Sequence, residues 1–322
     1  RRRHPRFGFK SRGLGDVYKR QVETLSISTA GSVDLGNVAN QIESVGEISA
    51  AGDVIVSTSV DLFTVNSLLS DAGVIDLVNH TGGMDLVSVT ALDGMILALA
   101  EGTIHAHHVA SDNDDIRLEA RGPASDILVK QVIAGGGGDV TLIAGDDVLG
   151  LPTTGVNVSA DDLLITAGNG TADQDEAIDL RTTVHDLALE VTGAARGDVS
   201  IVETDSIRLA SSDQGAETIR TANGDLRVTA GGAIAVIGSI ETSGDLIELT
   251  AGETITISGD INSNGGDVVL AGSNSIVVDS GAIIDAGTGT ILIDAGGGAV
   301  DTSGGTLSSD STGIGLQIEN AS

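Results

Sequence analysis

The chain has 322 residues, a net charge of −30, 45 glycines and no cysteine, which excludes disulfides and thiolate metal sites. Aromatics make up 1% of residues while 40% are hydrophobic, so any core is built from Val, Ile, Leu and Ala and not from large rings. No apolar run reaches the roughly 18 residues of a transmembrane helix, and the acidic balance argues against nucleic acid and anionic lipid as partners.

Residues 1–21, RRRHPRFGFKSRGLGDVYKRQ, differ from the rest. They hold eight of the 16 basic residues, one acid, and three of the four aromatics. From residue 22 onward there are 8 basic and 45 acidic residues, a net charge of 8 − 45 = −37, and Phe63 is the only aromatic. Asp16-Val17-Tyr18-Lys19-Arg20-Gln21 resembles the translation of an adapter used in sequencing-library preparation, and no Met starts the chain. Residues 1–21 are therefore read as a non-native, disordered scar and set apart from the fold. A basic arm for nucleic acid or anionic lipid is the other reading of the same residues.

Strand openings follow at Asp53, Val74, Met95, Asp115, Asp139, Asp162 and Asp186, spaced by 20 to 24 residues. Pro123 and Pro152 fall between strands, as a hydrogen-bonded ladder requires. Longer polar stretches interrupt the pattern at 169–181 and 211–219. From 223 to 300 the repeat is most regular. Leu226, Ile247 and Val268 are 21 apart, as are Val228, Leu249, Leu270 and Ile291; Ile234, Ile255 and Ile276; Val236, Ile257 and Val278; and Ile240 and Ile261. Turn glycines repeat with them at Gly244 and Gly265, and at Gly238 and Gly259.

Within a period, apolar and polar residues alternate by two, the pattern of a half-buried strand. Leu226, Val228 and Ala230 face one way, and Asp225, Arg227 and Thr229 the other. A unit this small buries its apolar face only by coiling onto its neighbours. The expected fold is all-β: a right-handed parallel β-helix of about a dozen turns of 20–24 residues, three short strands per turn. At ~4.8 Å per turn it forms a rod about 60 Å long. The helical region spans 22–322 and reads as truncated at both ends, since Gly315-Leu316-Gln317-Ile318 is still strand-like where the chain stops.

The phrase G-D-(V/L)-x-(V/L/I)-T-A-G-G-x-I-x-(V/I)-x-G, best seen at 224–238 and 245–259, resembles the repeats of filamentous-haemagglutinin-like exoproteins. That resemblance implies a giant bacterial surface protein and adhesion, biofilm contact or surface display. The expected function is a structural or adhesive shaft segment of a secreted or cell-surface bacterial protein. It would be a monomeric rod whose partners are cell-surface or matrix ligands, glycans among them.

Candidate sites are few. Arg196-Gly197-Asp198 is an RGD tripeptide, but Gly-Asp also opens strands at 52–53, 224–225, 244–245 and 266–267. His105 and His107, beside His108, would share a strand face and could hold a transition metal, although no third ligand is evident. Asp112 and Asp114, with Asp115, and Asp173 and Asp175, with Glu176, could collect Ca²⁺; neither group follows an EF-hand frame, so diffuse Ca²⁺ binding is the expectation and no cofactor is. The pairs Asp146-Asp147 and Asp161-Asp162 read as a solvated acidic surface. No nucleophile motif or phosphate loop is present, so no enzyme is expected. The alternative is a β-helical polysaccharide lyase or hydrolase with its site in the irregular region 103–222.

Overall fold

The computed structural model describes residues 21–22, 24–168, 176–193, 197–211, 218–310 and 316–319. Among them there is no helix. Short parallel strands stack into a β-solenoid of about 13 turns, three strands to a turn. Among the described residues no helix is long and apolar enough to cross a membrane.

The first half shows why these residues form these strands. Val54–Thr58, Leu62–Val65 and Leu68–Ser70 make one turn. Each lies in register under its counterpart one turn on: Val54 under Ile75, Phe63 under Met84, Leu68 under Val89. All of the strand-opening residues predicted above precede a fully buried aliphatic, from Val54 through Ile75, Ile96, Ile116, Val140 and Leu163 to Leu187. These seven residues form one continuous inward column. Phe63 is wholly buried in the column of Met84 and Ile104, so the one aromatic after residue 21 fills the tube.

The regular half behaves as the 21-residue step requires. Ile234, Ile255 and Ile276 stack, and so do Val236, Ile257 and Val278, all 0–1% exposed. Corners here are sealed from inside. Buried Thr221, Thr242 and Ser263 donate their hydroxyls to the carbonyls of Gly224, Asp245 and Gly266. Gly224, Gly244 and Gly265 take φ of 131°, 112° and 117° at the same corner, a region that side chains with a Cβ avoid. One expected pair is corrected. Ile291 stacks on Val268, and Ile293 is the residue above Leu270. The turn is lengthened by two residues at the 279–283 corner, which brings Ile284 over Ile261. A shift of two preserves which residues point inward.

The two halves meet in a change of cross-section. Val158–Ala167 runs through one corner as a single strand, and Glu176–Val191 runs through two. Glu176–Val191 pairs at its start with Val148–Gly150 and along its later part with Val158–Ala167. Above it, Asp198–Glu203, Ile207–Leu209 and Thr218–Thr221 take over three successive stretches. One corner of the early turns is thus straightened, and a new one opens where residues 187–191 had been a single strand.

Candidate functional site

An aliphatic tube offers chemistry only on its outer faces and corners. The commonest corner device is a strand-opening aspartate that accepts a backbone N–H from the next turn. Asp53 takes the N–H of Val74 at 3.0 Å, Asp115 that of Asp139 at 2.9 Å, Asp139 that of Asp162 at 3.2 Å, and Asp267 that of Thr290 at 2.7 Å. These N–H groups lie where the ladder breaks at a corner, and a carboxylate is a strong acceptor for them.

Asp198 of the RGD tripeptide belongs to this set. Its Oδ1 accepts the Asp225 N–H at 2.9 Å, while the N–H of buried Gly197 donates to the Asn223 carbonyl at 2.7 Å. Arg196 lies outside the described residues, as do Asp173 and Asp175. Asp112 and Asp114 sit at the corner of residues 112–115, where the Asp114 N–H donates to Ser111 Oγ and Asp114 Oδ1 accepts the Asp115 N–H.

His105 and His107 are neighbours, their ring centroids 6.3 Å apart. His105 projects from the outer face of Ile104–Ala106, in register with Asp85, and His107 turns back so that its Nε2 lies 3.1 Å from Asp85 Oδ1. The only group of three or more ligand side chains close enough to share a metal, among the described residues, is another one. It joins Asp126, Asp146 and Asp147, whose carboxylate oxygens lie within 4.8 Å of one another. Both members of the Asp146-Asp147 pair are 3% exposed, not the solvated surface that the sequence suggests. Asp147 stands one turn above Asp126, with its N–H 3.3 Å from Asp126 Oδ1.

A second polar cluster occupies the change of cross-section. Asp162, Asp186 and Arg208 are successive members of one outward column. Asp186, 6% exposed at its side chain, lies 3.3 Å from Arg208 Nε and 2.8 Å from His185 Nδ1. Nearby, Glu203 is buried and accepts from Thr182 Oγ1 at 2.8 Å and from the N–H groups of Val184, Thr204 and Asp205 at 3.1, 2.7 and 3.2 Å. Burial, reinforced by the neighbouring Asp205 carboxyl, raises its proton affinity against these donors.

A concavity follows a stack of corners. Between the second and third strands of successive turns the corner is two residues long, at 66–67, 87–88, 107–108 and 130–131, and then lengthens to residues 151–157. The stacked short corners and the long one enclose a groove of about 530 Å³ lined by Val87, His107, His108, Lys130, Gln131, Thr153 and Thr154. The long corner is anchored by Asn157, 3% exposed, whose amide donates to the carbonyls of Val129 and Leu151 at 2.9 and 3.1 Å and accepts the Arg181 N–H at 3.1 Å. Sequence reasoning names His107 but misses the groove, because its members come from four different turns. The signals were the lone lysine after residue 21 and the lengthened LPTTGV segment.

Comparison with protein-family models, curated proteins and solved structures gives no match.

Proposed function

We propose that this chain is a shaft segment of a secreted bacterial surface protein, a monomeric acidic rod that displays binding elements and does no chemistry itself. The observation that supports it most is the continuous parallel pairing. Strand pairing passes from turn to turn between Leu25 and Ile318, with register shifts only at Leu25/Ser26 and Glu176/Ile178 among the described residues. Such a ladder resists bending and extends a fixed distance per turn. The resemblance to filamentous-haemagglutinin-like repeats supports adhesion and surface location, with cell-surface or matrix glycans as partners.

The rival, a polysaccharide lyase or hydrolase, is favoured by the gathering of Asp162, His185, Asp186 and Arg208 within 103–222. Against it, Asp186 is buried and held by Arg208 and His185, and the groove is lined by other residues. The test pairs small-angle scattering of the full chain with degradation assays on acidic and neutral polysaccharides. A rod about 60 Å long that leaves every polymer intact is expected. Polymer cleavage lost in Asp186→Asn would replace the shaft with the enzyme.

A further inference from the structure

We propose that the groove between Val87 and Thr154 binds one anionic unit of an acidic saccharide, with the Lys130 ammonium holding its charged group. Its size falls in the range of small-ligand sites, about 300–1,000 Å³. Its polar lining is made of donors and hydroxyls: an ammonium, two imidazoles, a carboxamide and two threonine hydroxyls, with no carboxylate. On a surface carrying 45 acids after residue 21, the lining itself holds no acid, although Asp85 stands 3.1 Å from His107 Nε2.

Lys130 is the only lysine after residue 21 and is exposed. Arg117, Arg121, Arg208, Arg220 and Arg227 each have a carboxylate partner, whereas Lys130, like Arg181, has no ion pair among the described residues. An unpaired point charge is the group that takes a carboxylate or sulfate without first giving up a partner. Gln131 Oε1 lies 2.9 Å from His108 Nδ1, which leaves the amide nitrogen as a donor toward the ligand. Thr153 and Thr154 supply donor–acceptor hydroxyls suited to sugar hydroxyls. The wall that carries them is held by buried Asn157, so the groove is formed before the ligand arrives. With no aromatic platform, binding rests on the charge and these hydrogen bonds.

This inference rests on the display reading for its ligand class, and the two fail separately: cleavage defeats the shaft, whereas absence of binding leaves the shaft in place. The experiment titrates the full chain at low salt with three oligosaccharides of equal length: an oligomannuronate, a sulfated dextran and an unmodified dextran. Binding of an anionic oligomer and not of the neutral one is expected, and the oligomannuronate and sulfated arms identify which charged group is taken. Lys130→Ala should weaken it at least about tenfold, Gln131→Ala should also weaken it, and Lys130→Arg should retain it within a few-fold. Circular dichroism of each variant checks the fold. The proposal is overturned if neither anionic oligomer binds, if the dextran binds equally, or if Lys130→Ala binds as the parent does, which is also what binding by the basic residues 1–21 would give.

Discussion

Truncating Ile255 to alanine tests the stacked-column architecture most directly. Ile255 is fully buried between Ile234 below and Ile276 above. The substitution removes three carbons, about 2.4 kcal/mol at ~0.8 kcal/mol per buried methylene. The void adds to this, because hydrogen bonding fixes neighbouring turns ~4.8 Å apart and limits collapse. A loss of about 3–4 kcal/mol is expected. Thr256, the next residue, points outward beside Val277, and Thr256→Ala should change stability by no more than about 0.5 kcal/mol. Urea denaturation followed by circular dichroism compares the two variants. Hydrogen exchange adds a spatial readout: in a solenoid, weakening spreads to the adjacent turns first. Ile255→Ala should therefore speed exchange in Ile234–Val236 and Ser275–Val278 before Val54–Thr58. Equal costs for the two variants, or faster exchange confined to residues near 255 in sequence, would refute the column.

The remaining expectations concern polar anchors. Asn157→Ala removes the amide that spans the Val129 and Leu151 carbonyls and should cost about 1–3 kcal/mol and open residues 151–156 to limited proteolysis, with unchanged cleavage counting against the anchor. Asp198→Ala removes the acceptor of the Asp225 N–H and should lower stability by about 0.5–1.5 kcal/mol in thermal melts, an effect absent if Asp198 serves only as a recognition residue. Because burial raises the folded Glu203 pKa above its ordinary value of 4.5, the native state binds the extra proton, and this group's contribution to stability falls as pH rises from about 4.5 through the raised value. The stability of the parent relative to Glu203→Gln should therefore decline over that window in urea titrations, and a difference that stays flat with pH would rule the account out.

Fold class was legible in the sequence because a column needs only two signals: alternation by two and a constant step. Alternation survives an insertion of even length even where the step changes, which is why the wrong partner for Ile291 left its inward orientation right. The change of cross-section was not legible, since straightening a corner leaves alternation intact. Its trace is the run Glu176–Val191, sixteen residues with no glycine or proline to mark a turn. The groove and the Asp126, Asp146 and Asp147 cluster were hidden for a different reason. Corners stack in space as strands do, but their lengths vary, so no fixed step links Val87 to Lys130; Asp126 and Asp147 do stand one 21-residue step apart, but Asp146 joins them from the corner before Asp147. The pair Asp146-Asp147 looks like any exposed acidic dipeptide until the corner folds it beneath the surface.

The charge raises a physical problem that the corners resolve. In a parallel ladder, identical positions lie ~4.8 Å apart, so acids placed on strand faces would stack into columns of like charge. Some columns take in a cation: Asp162 and Asp186 are followed by Arg208, and Glu248 stacks directly on Arg227, while Glu176 lies in register with Asp198 and Asp294 with Glu319. Glu119 is held by Arg117 and Arg121, whose hydrogen bonds outweigh its burial and bring its pKa below the ordinary value. Many of the other aspartates stand at corners, where Asp53, Asp115, Asp139, Asp198, Asp225 and Asp267 each receive a backbone N–H of the following turn. There the partial positive charge of an otherwise unpaired N–H offsets the carboxylate, and the carboxylate in turn closes the ladder where the chain bends. The Gly-Asp repeat thus follows from solenoid geometry: the glycine makes the bend and the aspartate pairs the N–H groups that the bend exposes. An acidic surface and a continuous ladder have the same origin, and the groove that carries Lys130 is the place where this chain departs from it.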